Sequence, residues 1–259
     1  MAHYSDLFPP AQMSSLSGHA SDDAKSVLAM HALAAYLVTH RLQVGIWVDT
    51  TGGFKPELFK DIIKFYVRQS NNNNNNNNND DDEQVAVNQV SDRVSYFRVF
   101  DEIGLLETVR DVQEIYSESS SPQPHSSSSI HEPSAGFIVL DSVGAVFSKA
   151  MSNDQSLGHS QMAGFELSLS HVVRKHNIRC LQITILVNAS LTDHMRSRFD
   201  YLTLKPALGP TFAYYMDRIM IMSPTVKVEN NITGIDYTIE IIADRFNGQE
   251  GKRFNFKNL

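Results

Sequence analysis

The stretch Gly136-Phe137-Ile138-Val139-Leu140-Asp141 decides the fold class of this 259-residue chain. Its consecutive apolar side chains lack the alternation of a half-exposed strand, so it has the pattern of a strand buried on both faces of a parallel sheet. The stretch 44–49 (Val-Gly-Ile-Trp-Val-Asp) repeats this pattern. Both stretches end in an aspartate, at the strand end where ligands bind in such sheets.

Helical and strand patterns alternate around these two stretches. We predict helices at 25–40, from Pro56, at 105–116 and around 162–172, and further strands at 94–100 and 180–187. The last third contains only strand patterns, at 214–222, 237–243 and 253–256. The predicted class is therefore α/β, with a mostly parallel sheet flanked by helices and a C-terminal antiparallel extension.

Composition narrows the classes of protein that this chain can belong to. The chain is 42% hydrophobic and 20% charged, as expected of a folded soluble domain. The single cysteine, Cys180, excludes an intrachain disulfide and a cysteine zinc site, and the histidines show no metal-ligand spacing. No apolar stretch has the length of a membrane helix, and the first residues lack the pattern of a secretory signal. We therefore expect an intracellular protein.

Two low-complexity segments interrupt the chain, at about 70–84 and 117–133. The first contains nine consecutive asparagines followed by four acids, and the second is rich in serine and proline. Such segments bury too little apolar surface to offset their ordering entropy, so we predict disordered surface insertions within a single domain spanning 1–259. Without the four acids the net charge changes from -7 to about -3, which leaves only a mildly acidic body.

A damaged phosphate-binding loop precedes the first helix. The motif GxxxxGK[ST] places backbone N–H groups and a lysine around a phosphate at a helix N-terminus. Lys25 and Ser26 satisfy the end of this motif, but Ala24 replaces its second glycine and Gly18 lies one residue too far upstream. The alternative is an ordinary capped helix with a lysine in its first turn.

The order of several short motifs resembles the RecA-like ATPase core of the eukaryotic recombinases and their paralogues. Besides Lys25-Ser26, the matching stretches are 48–54 (Val-Asp-Thr-Thr-Gly-Gly-Phe), 54–58, 94–100, 137–142 (Phe-Ile-Val-Leu-Asp-Ser), 161–162, 187–188 and 205–209 (Lys-Pro-Ala-Leu-Gly). Thr-Gly-Gly together with Lys-Pro-Ala-Leu-Gly favours the D-type paralogue. Members of this family act in homologous recombination and DNA repair.

The resemblance implies a nucleotide site that has lost its catalytic group. Lys25 matches the phosphate-binding lysine, Ser26 and Asp141 match the Mg²⁺-associated residues, and Asn188 matches the residue that senses the γ-phosphate. Thr51 stands where active recombinases carry the glutamate that orients water, and threonine cannot serve as that base. ATP and Mg²⁺ are the implied cofactors, but no catalytic residue is assigned.

Negative charge in the loop further weakens the expected nucleotide binding. Asp22 and Asp23 lie where a triphosphate would bind, and like charges repel in a partly buried site. We therefore expect little or no ATP hydrolysis, and at most a weak DNA-dependent ATPase.

The resemblance also implies contacts with DNA and with other subunits. The second DNA-binding loop would be 189–204, and the best DNA contacts are Arg196, Arg198 and Lys205. The first loop, 148–160, offers Lys149 as its strong positive charge, so binding to single-stranded DNA should be weak and salt-dependent. The stretch 8–11 (Phe-Pro-Pro-Ala) resembles a tether to a neighbouring core, the alternative being packing of its phenylalanine within the chain.

Three hypotheses follow for the function. The first is a catalytically degenerate adaptor, a nuclear subunit of a hetero-oligomer that supports recombinase assembly on single-stranded DNA with no membrane partner. The second is an active DNA-dependent ATPase of the recombinase family. The third is an unrelated α/β protein with coincidental motifs and a different strand order.

Overall fold

The computed structural model describes residues 7–18, 23–73, 80–118, 136–188, 204–229 and 232–257. The helices are α1 Ala24–Thr39, α2 Pro56–Asn73, α3 Asp80–Ser91, α4 Glu102–Glu118, α5 Val143–Asn153, α6 Gln155–Lys175 and α7 Gly209–Tyr215. The strands are β1 Gln12–Gly18, β2 Val44–Asp49, β3 Val94–Arg98, β4 Gly136–Asp141, β5 Arg179–Asn188, β6 Leu204–Pro206, β7 Arg218–Glu229, β8 Ile232–Asp244 and β9 Arg253–Lys257.

One twisted sheet forms the centre of the molecule, in the order β3-β2-β4-β5-β1-β7-β8-β9. Neighbours from β3 to β7 pair in parallel, whereas β8 and β9 continue the sheet antiparallel and β6 pairs antiparallel with β5. The predicted α/β class with its antiparallel C-terminal extension is confirmed. The stretches 44–49 and 136–141 are strands with the predicted bounds.

Helices cover both faces of the sheet and create two apolar cores. Helices α1, α2 and α3 pack on one face, and α4 to α7 pack on the other. Helix α1 is buried along almost its whole length, as its apolar residues on every side predict. In the part of the chain that the structure describes, no helix has both the length and the apolar character needed to cross a membrane.

The N-terminal strand β1 was not predicted. It lies between β5 and β7 at the centre of the sheet, although its sequence is Gln-Met-Ser-Ser-Leu-Ser-Gly. Its serines are fully buried, so the apolar pattern that reveals other buried strands is missing here. Phe8, just before β1, is also fully buried and packs 5.6 Å from the ring of Phe137. The tether interpretation of 8–11 is therefore wrong, because the phenylalanine is part of its own core.

Helices replace several segments that were expected to be irregular or extended. Helix α2 extends to Asn73 and α3 begins at Asp80, so the disorder predicted over 70–84 is wrong for the described residues of that stretch. Glu83 joins the two helices by accepting from Lys64 at 3.1 Å and from Arg68 at 2.8 Å. Residues 119–133 of the second low-complexity segment lie outside the described residues.

Two further corrections concern the second half of the chain. The first DNA-loop candidate, 148–160, consists almost entirely of the end of α5 and the start of α6. The predicted strand 214–222 begins with the end of α7, and β7 itself starts at Arg218. The helix start at Gly209-Pro210 carries the signal that should have indicated α7, since proline is favoured in the first turn of a helix.

Candidate nucleotide site

The carboxyl ends of β1, β2 and β4 bring Lys25, Ser26 and Asp141 together, and we call these three residues the candidate site. Ser26 hydrogen-bonds to the Asp141 side chain, and Lys25 lies close enough to stabilise its negative charge. Burial nevertheless raises the pKa of Asp141 to about 6, helped by the nearby negative charge of Asp49. The Asp141 carboxyl is therefore ionised at neutral pH and protonated below about pH 6.

The side chain of Lys25 passes close to the end of β1. The residue is only 5% exposed, and a β-carbon on Gly18 would lie 3.0 Å from its Cδ atom. A side chain at position 18 would thus displace the lysine stem. The strand end has a glycine where the lysine must pass, although this glycine is displaced by one residue from the usual motif.

Asp49, the other aspartate predicted at a strand end, stabilises a turn. Its Oδ1 atom accepts hydrogen bonds from the backbone N–H groups of Thr51 at 2.9 Å and Gly52 at 2.6 Å, and from Arg98 at 2.8 Å. Its Oδ2 atom accepts from the Tyr96 hydroxyl at 3.0 Å. Burial favours the protonated form, but these backbone and tyrosine hydrogen bonds lower the pKa of Asp49 overall. Its acceptor capacity is used within the turn.

Thr51 occupies the turn that Asp49 organises, and it is exposed. The hydroxyl of Thr51 lies 3.2 Å from the position that a β-carbon on Gly53 would take, and Asp141 Oδ2 lies 4.0 Å from the same position. Residue 51 is therefore next to the candidate site, and it brings a hydroxyl group there instead of a carboxylate.

Asp23 is the N-cap residue of α1, and its charge is paired with a lysine. Its side chain is 81% exposed and forms an ion pair with Lys55 at 3.2 Å. The repulsion predicted for a triphosphate is therefore reduced at this residue, although Asp23 still contributes to the raised pKa of Asp141. Asp22 lies outside the described residues.

For Asn188, the fourth predicted nucleotide residue, the structure gives only its backbone place in β5. Asn188 is the last residue of β5, and its side chain lies outside the described part. Leu140 pairs with Gln182, six residues earlier, so Asn188 follows that pair by roughly 20 Å of extended strand.

Thr184 of β5 also lies near the end of β4, and sequence reasoning missed it. A β-carbon on Gly144, three residues after Asp141, would lie 2.9 Å from its Oγ1 atom. This Oγ1 atom is buried and has no hydrogen-bond partner among the described residues. The alternation in Gln182-Ile183-Thr184 would have placed both polar side chains on one face of the strand.

The predicted DNA contacts are beyond what the structure describes. Arg196 and Arg198 lie in the undescribed stretch 189–203, and for Lys205 the structure gives only its backbone place in β6.

The candidate site fits Mg²⁺ and a phosphate in its chemistry. Asp141 Oδ2 is buried without a hydrogen-bond partner in the described part of the chain, which suits an oxygen that accepts from a metal-bound water. The Ser26 hydroxyl is an oxygen ligand, and Lys25 supplies a positive charge at the start of α1. Among the described residues, no group of three or more His, Cys, Asp or Glu side chains could hold a metal ion by itself.

Comparison with known proteins identifies the fold. The crystal structure of the RadB recombinase is similar to this chain, with a TM-score of 0.62 and 18% sequence identity over 96% of this chain and 88% of that chain. No protein-family model matches the sequence, and no curated protein matches it. The structural likeness argues against the different fold that the third hypothesis requires. The chain has the fold of a RecA-like recombinase core.

Proposed function

We propose that this chain is a recombinase-paralogue subunit that assists homologous recombination and DNA repair as a catalytically degenerate adaptor. It acts in the nucleus within a hetero-oligomer and supports recombinase assembly on single-stranded DNA. One observation carries this proposal: Lys25, Ser26 and Asp141 are assembled as in a nucleotide site, while the adjacent turn presents Thr51 in place of a carboxylate.

Each residue of the candidate site has a separate role in this proposal. Lys25 holds phosphate oxygens by charge, Ser26 provides a hydroxyl ligand for Mg²⁺, and Asp141 orients a metal-bound water. Mg-ATP, if bound, would supply the phosphate groups and the metal-bound water that these three residues would hold. Thr51 cannot accept a proton from water near neutral pH, because its hydroxyl group is a far weaker base than a carboxylate. The site therefore binds nucleotide without turning it over.

Phosphate release tests the loss of hydrolysis. We expect wild-type protein and Asp141→Asn to release phosphate from Mg-ATP at the same background rate, with or without single-stranded DNA. The intact Mg²⁺ residues favour the alternative, an active DNA-dependent ATPase. Release that single-stranded DNA stimulates and that Asp141→Asn abolishes would establish this alternative and overturn the degenerate-site proposal.

Acidification should weaken the binding of Mg-nucleotide. The pKa of Asp141 is about 6, and only the ionised carboxyl can hold a metal-bound water, so affinity is present above pH 6 and lost below it. We expect the Kd for a fluorescent ATP analogue with Mg²⁺ to rise about tenfold for each pH unit below 6. The same titration in EDTA corrects for protonation of the nucleotide. A Kd with the same pH dependence in Mg²⁺ and in EDTA would remove Asp141 from the site.

An exposed apolar surface supports the proposed hetero-oligomer. Strand β3 ends the sheet, pairing only with β2 among the described strands, so its other edge is open. Four large exposed side chains lie on it and on the following turn and helix, and we call them the β3 patch: Tyr96, Phe100, Ile103 and Leu106. Open strand edges and exposed large apolar side chains are typical of protein interfaces.

A glutamate in the β3 patch should abolish partner binding. We expect Ile103→Glu to lose co-purification with the recombinase or its paralogues, because it buries a charge in the interface. Leu167→Glu on α6 is the matched control, since Ile103 and Leu167 are 62% and 64% exposed. Equal partner recovery for both folded variants would place the interface elsewhere.

Contacts with DNA remain proposed for Arg196, Arg198 and Lys205. Their combined replacement by alanine should weaken binding to single-stranded DNA and reduce its salt dependence, as expected when phosphate contacts are removed. Fluorescence anisotropy at several salt concentrations measures both effects. Unchanged affinity and salt slope would remove these residues from the DNA surface.

A further inference from the structure

A carboxyl group on α6 is enclosed by the core without a charged partner. Glu166 is fully buried, and its Oε2 atom accepts one hydrogen bond, from Gln182 Nε2 of β5 at 2.7 Å. Neither Glu166 Oε1 nor Gln182 Oε1 has a hydrogen-bond partner among the described residues. Ser15 of β1 pairs in register with Gln182, and its hydroxyl is likewise buried without a partner there.

The ionisable groups on the sheet side provide no free positive charge. Cys180 of β5 interacts electrostatically with Glu166, and burial raises the pKa of this thiol, so it stays uncharged. Asp217, before β7, forms an ion pair with Arg174 at 3.1 Å. Arg174 also donates to Ser170, one helical turn away on α6. This arginine is therefore occupied two turns from Glu166.

The helices that pack against α6 also bring no buried charged side chain to it. The buried residues of α5 are Val143, Gly144, Val146 and Phe147, and that of α7 is Phe212. Helix α4 adds one buried ionisable group, the Tyr116 phenol, whose pKa is raised by burial. His159 lies near the start of α6, and His176, which follows its end, has its pKa lowered by burial. None of these groups supplies a cation to Glu166.

An isolated buried carboxylate is strongly unfavourable, because it loses its hydration without gaining a counter-charge. The group therefore takes up a proton instead of ionising. Burial raises the pKa of Glu166 to about 8, although the hydrogen bond from Gln182 acts in the opposite direction.

We propose that Glu166 is a proton-dependent latch, which holds α6 on the central strands β5 and β1 while its carboxyl is neutral and releases α6 when its carboxyl ionises. Release lets water reach the carboxylate, Gln182 and Ser15 together. Since ionisation is easy in the released state, α6 docking is strongest at low pH. It weakens as pH rises and levels off above about pH 8.

Hydrogen exchange measured by mass spectrometry tests the latch. The readout is the protection factor of α6 peptides, corrected for intrinsic exchange, from pH 6.5 to 9.5. Most of this range lies above the pKa of Asp141, so that group contributes little to the change. We expect wild-type protection to fall at least tenfold between pH 6.5 and 8.5 and then to level off, as linkage to one carboxyl requires.

Two variants at the latch and one elsewhere complete the experiment. Glu166→Gln keeps a carbonyl oxygen for Gln182 but cannot ionise, so its α6 protection should not change with pH; Glu166→Met serves the same purpose if the amide variant does not fold. Glu107→Gln, at an exposed glutamate of α4, should behave like wild type. The proposal fails if wild-type protection is flat, or if the pH dependence persists in both Glu166 variants.

Discussion

Gly136→Ala should destabilise the protein by about 3 kcal/mol, the upper part of the range for forcing additional atoms into a packed core. Gly136 starts the central strand β4, and a β-carbon there would lie 1.7 Å from the Tyr116 hydroxyl oxygen and 2.8 Å from its Cζ atom. The backbone carbonyl of Val44, on the neighbouring strand, would be 3.2 Å away. Either the tyrosine of α4 or the strand must move.

Chemical denaturation measures this effect, and two variants interpret it. Gly164→Ala in α6 is the matched control, because a β-carbon there meets nothing within 4 Å, and it should stabilise the helix by up to about 1 kcal/mol. Tyr116→Phe removes the closest atom, so adding it to Gly136→Ala should recover part of the loss. A tolerated Gly136→Ala would show that β4 and α4 do not approach this closely.

Arg218→Ala should cost about 3–5 kcal/mol, the range for removing one partner of a buried ion pair. Arg218 is only 1% exposed. It donates to Asp244 at 2.8 Å across strands β7 and β8, and to the backbone carbonyl of Leu7 at 2.6 Å. Its loss leaves Asp244 as a buried charge and removes the anchor of the segment before β1.

The compensating variant distinguishes charge from packing in this pair. Arg218→Met with Asp244→Asn removes both charges while retaining much of the volume, and it should recover more than half of the stability lost in Arg218→Ala. Thermal or denaturant unfolding at neutral pH gives both values. If the double variant is as unstable as the single one, the ion pair is not the source of the effect.

Sequence patterns predict the strands and helices whose buried residues are also apolar. Strands β2 and β4 are predicted with their observed bounds because nearly all of their residues are both apolar and buried. Strand β1 is equally buried but is built from serines that the sheet interior encloses, so its hydropathy does not reveal it. Helix α3 is not predicted, because its first turn is a run of acids that resembles a low-complexity segment. The same acids favour a helix N-terminus.

The candidate site was predictable where local motifs suffice. Lys25 and Ser26 follow from a helix start and Asp141 from a strand end, and the fold brings them together. Thr184 belongs to no local motif, and its place near the end of β4 depends on the pairing of β5 with β4. Glu166 carried no signal at all, since an acid on a helix is normally exposed.

Co-purification of the Lys25→Ala variant after DNA damage tests the central claim most directly, with wild-type protein and Ile103→Glu measured alongside. An adaptor whose assembly does not depend on its nucleotide site should recover the recombinase or its paralogues equally well with wild-type protein and with Lys25→Ala, and poorly with Ile103→Glu. Recovery of wild-type protein without either partner would contradict the account, as would loss of the partners from a folded Lys25→Ala variant.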